Sequence, residues 1–408
     1  MLINQRPRGI DNIKWDYFLV YLLLANSAIP FFYVYIEFKV INFIIVIIIF
    51  FLRNKSVQKF IFIYIFLITA ISVGQSYTFN TFPFDSYLTI ILRIFIAYLT
   101  IRTVSFRFFP TFVNLIYIFV LISFLFYFPS IIIPGFSSFF ITKISPHLNP
   151  PFQSVFKSEF NEQIILFNFN SIQEFRNSGP FWEPGTFGGF LIIALIINTV
   201  MSGFLLTKKN IVMIIALLTT FSTTNYIAFF LFIMIYFVFI NKKINSFVIV
   251  LPLLAIFITI FFEAGFLQNK IFTQLNEVDK YYRAGRVGNR FVSAMADIDV
   301  FLKYPIFGKG IGGLSDILYK RFNAHRSNGL VSYLANFGLI FFLFYFFNLY
   351  LSFFRFCSLF KYNKYLGYAL FFLLILIGFS EEYYNFPFFY ALTMLHLVIP
   401  LKSFDYLK

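Results

Sequence analysis

Two arginines four residues apart stand at the start of a predicted helix, an arrangement suited to binding an anion. Arg286 and Arg290 open a segment whose apolar residues recur at helical spacing until Pro305. The macrodipole disfavours cations in the first turns of a helix by roughly 0.3–1 kcal/mol each, so helix stability does not explain them. A shared phosphate would explain them, because guanidinium groups and helix N-terminal amides both donate to its oxygens. The alternative is an exposed basic face without a ligand.

The sequence has only three histidines, and one of them lies at a position suited to a general base. His325 stands beside Arg326, where a polar segment meets the next apolar run. His396 lies within an apolar run, as core residues do, and His147 lies among prolines. A neutral imidazole can take the proton of a hydroxyl nucleophile near neutral pH. His325 is therefore the candidate general base.

A further group of polar residues precedes the sixth apolar run. Arg176 and Glu183 lie here, and Pro184 predicts a turn at the point where the run begins. Arg176 would add a cation to the anion site, and Glu183 is the rival to His325 as the base. The alternative, equally open, is an interfacial anchor in which Trp182 joins an aromatic belt and Arg176 extends its charge toward water.

Arg93 is the one basic residue deep inside a predicted membrane span. It either faces a polar cavity, where it could join the anion site, or extends its charge to the interface. Because no histidine, cysteine or acidic residues occur at metal-ligand spacing, we expect no metal and no cofactor. The glycine series 308–313 matches a dinucleotide-binding pattern, but no strand precedes it, so we predict a turn there.

The elements that position these residues are predicted to be membrane helices. Of 408 residues, 60% are hydrophobic and 12% are charged, about half the charged share of a soluble protein. This composition excludes a soluble enzyme, a disordered chain and a disulfide scaffold. In a membrane protein the net charge of +15 indicates topology and anionic partners such as lipid head groups, and we expect no nucleic-acid partner. The fold class is therefore an all-α polytopic membrane protein.

The apolar runs predict about twelve membrane-spanning helices, since a span needs about 20 apolar residues. Two long runs, 16–52 and 210–241, are each divided in two. The first is broken by Pro30 and by Glu37 and Lys39, and the second by the polar series 219–225. The predicted spans are 16–35, 38–52, 59–75, 86–101, 109–133, 185–206, 210–223, 225–241, 244–263, 327–354, 365–380 and 386–401.

The distribution of lysine and arginine supports these divisions, because each division inverts every later loop. With both termini cytoplasmic, the cytoplasmic loops and tails carry 17 Lys and Arg, whereas the short loops on the other side hold only Lys39. Residues 1–408 then form one membrane domain with two external loops, 134–184 and 264–326. These loops hold 13 further Lys and Arg, which suggests an anionic substrate at the outer face. The first run is predicted to be an uncleaved span.

Three stretches of the sequence, in this order, resemble the O-antigen polymerase (Wzy) and O-antigen ligase (WaaL) superfamily. They are RNSGPFWEPGTFGGFL (176–191), GRVGNRFVSAMADIDVFLKYPIFGKGIGG (285–313) and AHRSNGLVSYLANFGLIFF (324–342). The N-terminal third resembles the family only in layout. Many family members carry Ser-Arg between the seventh and eighth spans, where this chain has Ser222 and Thr223, so a third phosphate-binding arginine is either missing or supplied by Arg93.

The resemblance implies a GT-C-like membrane glycosyltransferase of polysaccharide biosynthesis in the bacterial inner membrane. It would act at the periplasmic face on an undecaprenyl-diphosphate-linked oligosaccharide, with Arg176, Arg286 and Arg290 as diphosphate ligands and His325 as base or acceptor-positioning residue. A polymerase is favoured over a ligase because the external loops are compact, and a chain-length regulator protein is an expected partner. The competing non-enzymatic class is a lipid-linked oligosaccharide flippase, which would carry its charges inside the spans.

Overall fold

The computed structural model describes most of the chain, and within this part it is almost entirely helical. The described residues are 13–33, 35–148, 162–169, 175–240, 290–310 and 328–399, with the single positions 252, 255 and 276. Three predictions lie outside them, namely those for Arg286, His325 and the span 244–263.

The first part of the chain forms a series of helices joined by short connections. These are α1 (Ile13–Ala28), α2 (Pro30–Tyr33), α3 (Ile36–Leu52), α4 (Phe60–Phe79), α5 (Phe84–Val104) and α6 (Phe108–Ile132). The predicted loop 134–184 contains two short helices, α7 (Phe136–Lys143) and α8 (Ser145–Leu148), and two antiparallel strands, β1 (Gln163–Ile164) and β2 (Phe167–Asn168). Phe167 and its neighbours pack against Tyr127 of α6.

The second part of the chain completes the helical bundle. It contains α9 (Pro184–Met201), α10 (Lys208–Thr219), α11 (Thr223–Ile240), α12 (Arg290–Lys303), α13 (Gly329–Leu359), α14 (Lys364–Ser380) and α15 (Pro387–Met394). Short 3-10 turns follow α5, α14 and α15, at Ser105–Arg107, Tyr383–Asn385 and Leu395–Leu397.

The helices coincide with the predicted spans that fall on described residues, and the all-α membrane class is confirmed. Four helical stretches of the described chain are long and apolar enough to cross a membrane, namely Phe60–Phe79, Phe84–Ile132, Pro184–Met201 and Gly329–Leu359. The longest stretch is two helices, because Ser105 adopts a left-handed φ of 57° between α5 and α6. The total of twelve spans and their orientation remain predictions.

Both long apolar runs are interrupted where the sequence predicts. The first run stops at Tyr33 and resumes at Ile36, and the second turns at Phe221, whose φ is 46°. Lys39 does not lie in a loop, which corrects the count of loop cations. It lies in the second turn of α3 and is only 5% exposed, because α3 begins before it and packs its polar side inward.

At one end of the bundle, a buried carboxylate connects helices through ion pairs. Asp16 of α1 forms ion pairs with Arg53, which follows α3, and with Arg107, whose Nε lies 2.9 Å from Asp16 Oδ2. These contacts tie α1 to the ends of α3 and α5. Arg53 and Arg107 therefore have a structural role in addition to the topological one predicted for them.

Helix α13 is kinked, and the segment 305–310 fills the kink. Gly338 has φ 74° and ψ 175°, and a Cβ there would lie 2.0 Å from the carbonyl oxygen of Ile306, so the contact requires glycine. The amide of Lys309 donates to a carbonyl of α13 at 2.8 Å, and the amide of Leu339 donates back to this segment at 2.8 Å. Over the described part of the glycine series the backbone is non-helical, with positive φ at Gly308 and Gly310, which is consistent with the predicted turn.

The packing of this segment also changes the interpretation of one basic residue. Lys309, counted among the cations of the second external loop, is 3% exposed and lies 3.9 Å from the buried carboxylate of Asp297 in α12. Its charge is matched inside the protein. It therefore does not contribute to the basic surface predicted to meet an anionic substrate.

Candidate functional site

Four charged side chains meet at the end of the bundle opposite Asp16. They are Arg176 before α9, Glu183 at the N-cap of α9, Arg290 at the start of α12 and Glu381 directly after α14. Helix α6 shows that the two clusters lie at opposite ends of the bundle, because it runs from one to the other. Its N-terminus follows Arg107 of the Asp16 cluster, and Tyr127 near its other end donates a hydrogen bond to the carbonyl of Phe175, beside Arg176. We call these four residues the charged cluster.

The strongest contact in the charged cluster joins Arg290 and Glu381. Arg290 Nη2 donates to Glu381 Oε1 at 2.6 Å, and Nη1 lies 3.5 Å from the hydroxyl of Thr224. The Glu381 side chain is 8% exposed, whereas that of Arg290 is 29% exposed. The guanidinium group thus keeps one bound side and one accessible side, which is the arrangement a ligand anion needs.

Glu183 lies against the N-terminus of α9, where the Trp-Glu-Pro sequence positions it. Its backbone is extended, and Pro184 is the first helical residue, which needs no amide donor there. The carboxylate accepts hydrogen bonds from the indole of Trp182 at 3.1 Å and the hydroxyl of Thr186 at 3.5 Å. Its remaining hydrogen bond is made with the carboxyl of Glu381.

Gly185 lets Glu381 approach α9 closely. A Cβ at Gly185 would lie 2.4 Å from Glu381 Oε1, which no side chain tolerates without displacement. The carbonyl of the same glycine accepts hydrogen bonds from Asn225 at 2.8 Å and from Tyr383 at 3.1 Å. The backbone of α9 at Gly185 therefore holds together the segments that carry the two carboxyl groups.

The environment moves the pKa values of the two carboxyls in opposite directions. Burial raises the pKa of Glu381 well above its usual range, and the neighbouring charge of Glu183 raises it further. Burial also raises the pKa of Glu183, but the hydrogen bonds from Glu381 and Trp182 and the charges of Arg290 and Arg176 outweigh this, so the pKa is lowered overall. These opposite shifts favour a single proton shared by the pair, on the side of Glu381.

The polar series 219–225, which divides α10 from α11, positions Arg176. The Nε of Arg176 donates to the carbonyl of Thr220 at 2.9 Å. The adjacent Asn177 donates its amide to the carbonyl of Thr219 at 2.9 Å. Burial lowers the pKa of Arg176, although Glu183 and Glu381 oppose the change. The sequence marks this series as an interruption between spans, and the structure adds that it supports the charged cluster.

Arg93 approaches the charged cluster from α5 without joining it. Its Nη1 donates to the carbonyl of Asn385 at 3.0 Å, and its guanidinium lies 5.7 Å from the ring centre of Phe386. The Phe386 ring lies 5.0 Å from that of Trp182, which contacts Glu183. Trp182 is thus partly buried against Phe386, and the interfacial alternative stays open. Arg93 holds the connection that follows Glu381.

Sequence reasoning named three members of the charged cluster and missed the fourth. Arg176, Glu183 and Arg290 lie together, although their roles in binding and catalysis remain predictions. Glu381 was not considered, yet Glu381 and Glu382 form an acidic pair in a chain with only 17 Asp and Glu, in a five-residue connection between predicted spans. That rarity is the signal that could have identified it.

The arrangement is suited to an anion. Two guanidinium groups reach one end of the bundle, and both carboxyls there are already hydrogen-bonded to each other or to arginine. Within the described ranges no group of three or more His, Cys, Asp or Glu residues could hold a metal ion. A bound diphosphate would find cationic donors beside the N-terminus of α9.

Comparison with known proteins finds a family similarity over part of the chain. Residues 210–346 match the family model described as O-antigen ligase. The matched segment includes Arg290 and also Arg286 and His325, whereas Glu183 and Glu381 lie outside it. The match confirms the resemblance at two of the three sequence stretches, 285–313 and 324–342, whereas 176–191 lies outside the matched residues. Neither the curated proteins nor the solved structures contain a significant match to this chain.

Proposed function

With the O-antigen ligase family segment at 210–346 as the premise, we propose that this protein is a membrane glycosyltransferase that polymerises a surface polysaccharide. The donor is a glycan on undecaprenyl diphosphate, and the acceptor is a sugar hydroxyl of an incoming lipid-linked repeat unit. The reaction takes place at the periplasmic face of the bacterial inner membrane, in a GT-C-like helical bundle with both termini cytoplasmic. The observation that carries this proposal is the charged cluster beside the family segment.

The arginines stabilise the leaving group. As the bond between the anomeric carbon and the diphosphate oxygen breaks, negative charge accumulates on the diphosphate. Arg290, with its accessible side, and Arg176 supply preorganised cationic donors at this point, and Arg286 is proposed to add a third. Donors that bind the developing charge more tightly than the ground state lower the barrier, and they can do so without a metal ion.

The acceptor hydroxyl must lose its proton as it attacks the anomeric carbon. We assign this step to His325, which takes the proton while undecaprenyl diphosphate departs. Glu183, the rival base, is a weaker candidate because its pKa is lowered and its oxygens accept hydrogen bonds from Trp182 and Thr186. A carboxylate with a lowered pKa is a poor proton acceptor at neutral pH.

The acceptor distinguishes the related activities. A polymerase extends lipid-linked repeat units into a ladder, an O-antigen ligase needs lipid A-core as acceptor, and a flippase forms no glycosidic bond. The two predicted external loops, 134–184 and 264–326, are short in sequence, which favours the polymerase, and a chain-length regulator protein is the expected partner. Among the described helices few cations lie inside the spans, which disfavours the flippase.

Reconstitution of the purified full-length protein with undecaprenyl-diphosphate-linked repeat units tests this proposal. We expect a ladder of lipid-linked products that survives EDTA. His325→Ala should reduce the rate by about 10²–10⁴-fold, the range of general-base catalysis, and Glu183→Gln should reduce it less. Product only with lipid A-core would establish the ligase instead. Full turnover by the His325 variant, or loss of activity in EDTA with recovery in Mg²⁺ or Mn²⁺, would contradict the mechanism.

A further inference from the structure

Glu381 lies at the centre of the charged cluster, yet neither the sequence motifs nor the family segment includes it. It accepts from Arg290 at 2.6 Å and makes a hydrogen bond with Glu183. Its backbone is equally constrained, since a Cβ at Gly329 would lie 1.8 Å from the Glu381 carbonyl oxygen. Because both its side chain and its backbone are constrained, Glu381 can fix the positions of Glu183 and Arg290.

A hydrogen bond between two carboxyl groups needs a proton. If both Glu183 and Glu381 were ionised, two like charges would face each other in a largely buried site, which is costly. With one proton, Glu381 can donate to Glu183 while it accepts from Arg290. One shared proton completes this geometry, and the opposite pKa shifts of the two carboxyls favour Glu381 over Glu183 as its carrier.

We propose that Glu381 is a positioning residue of the donor site, and that in its protonated form it bridges Glu183 to Arg290 and aims the guanidinium at the donor diphosphate. This inference rests on the proposed function, because the diphosphate belongs to the lipid-linked donor. Glu381 touches Arg290 rather than the reacting atoms, and it acts through that arginine.

The shared proton also sets the charge that the diphosphate meets. Arg176, Arg290 and ionised Glu183 leave one net positive charge when Glu381 is neutral. Loss of the proton makes the four residues neutral overall and places a second carboxylate near the diphosphate oxygens. Donor binding should therefore be strong below the pKa of Glu381 and should weaken as the pH rises through it.

The charged and titratable groups that face Glu381 come from several elements. In the described part of the chain these are Glu183 of the α9 N-cap, Arg290 of α12, Arg176 of the preceding segment and Tyr383, which follows α14. Burial raises the pKa of Tyr383 well above its ordinary value, so this group stays protonated over the relevant range. Glu183 has a lowered pKa and stays ionised. Glu381, whose pKa is raised well above its usual range by burial and by Glu183, is thus the member of this set whose protonation state can change.

Glu381→Gln tests the bridge directly, because glutamine has the shape of a protonated glutamate. Its amide can donate to Glu183 and its carbonyl can accept from Arg290. Binding of undecaprenyl diphosphate to the purified full-length protein in detergent should weaken with rising pH in the wild type, by at most about tenfold per pH unit for one linked proton. Glu381→Gln should remove that dependence while keeping kcat within about threefold.

Two further variants complete the experiment. Glu381→Ala should lower kcat by about tenfold or more, because Arg290 loses its partner while the positive charge remains. Asp85→Asn, which removes an exposed carboxylate at the start of α5, should keep the wild-type pH dependence. If Glu381→Gln keeps the wild-type dependence, or loses as much kcat as Glu381→Ala, the inference is wrong.

Binding and turnover separate this inference from the proposed function. If the protein binds undecaprenyl diphosphate with the expected pH dependence but forms no glycosidic bond, the inference holds and the proposed function fails. If the protein forms a ladder whose donor binding does not depend on Glu381, the proposed function holds and the inference fails.

Discussion

The two ends of the bundle each hold a buried carboxylate beside two arginines, but the two clusters use these residues differently. At one end, both Arg53 and Arg107 bind Asp16, whose side chain is 1% exposed. At the other end, Arg290 binds Glu381 while Arg176 donates to a backbone carbonyl, and Arg290 remains 29% exposed. In the first cluster both arginines bind one carboxylate. In the second, part of the Arg290 guanidinium group remains accessible.

Net charge does not separate the two clusters. Asp16 with its two arginines carries one net positive charge, and the charged cluster carries the same while Glu381 is protonated. The difference lies in geometry and in the proton. Around Asp16 the contacts tie α1, α3 and α5 together, which is a structural task. Around Glu381 a second carboxyl supplies a shared proton, so the charge of the site can change when an anion arrives.

The largest effect is expected from Arg290→Ala, which removes the accessible guanidinium and leaves Glu381 without its partner. Removal of one preorganised donor to a developing anion costs about 10²–10³-fold in rate, and chain growth should be abolished on that scale. The measurement is the length of lipid-linked products made by protein that remains in the membrane. Lys303→Ala, at the exposed far end of the same helix, is the matched control and should make normal ladders. A normal ladder from Arg290→Ala would show that Arg290, like Arg53, has only a structural role.

The opposite end should respond in stability rather than in rate. Asp16→Asn keeps the shape of the side chain but removes the charge that faces Arg53 and Arg107, and breaking a buried ion pair costs about 3–5 kcal/mol. We expect a lower melting temperature in detergent and less protein in the membrane. The kcat of the protein that folds should be unchanged. A loss of kcat without a change in melting temperature would erase the distinction between the two clusters.

The sequence predicts the helices of both regions but not the contacts that define them. Apolar runs alternate with polar interruptions, so the boundaries of α3, α10 and α11 follow from local composition. The hydrogen bond between Arg290 and Glu381 joins residues 91 positions apart, and the ion pair between Arg53 and Asp16 joins residues 37 positions apart. Rules based on local residue spacing cannot predict contacts between residues so far apart in the sequence. Arg53 was therefore interpreted only as a topology marker, and Glu381 was missed.

Arg176, Glu183 and Arg290 were identified for a different reason. Each lies at the point where a polar segment meets a predicted helix, and a charge in that position needs an explanation that helix propensity does not supply. The neighbouring Thr and Asn residues of 219–225 carried no charge, so only their interruption of the apolar run was noted. Their carbonyl and hydroxyl contacts depend on the packing of α10 against α9, which local sequence does not specify.

The smallest predicted effect tests how closely the charged cluster depends on the backbone of α9. Gly185→Ala adds a Cβ that would lie 2.4 Å from Glu381 Oε1, so the carboxyl must shift and carry Arg290 with it. Because alanine favours a helix more than glycine does, the melting temperature should not fall. We expect kcat to fall by about three- to tenfold, since a displaced guanidinium meets the diphosphate in a poorer position.

A double variant shows whether the fall in kcat caused by Gly185→Ala depends on Glu381. In Glu381→Ala the nearest remaining side chain to the new methyl group is that of Glu183, whose Cδ lies 3.9 Å away, an ordinary contact. Gly185→Ala should therefore cost almost nothing further in that background, because the two substitutions remove the same interaction. If the two losses multiply instead, Gly185 acts on catalysis independently of Glu381. The charged cluster would then resemble the Asp16 cluster, in which each contact supports the fold separately.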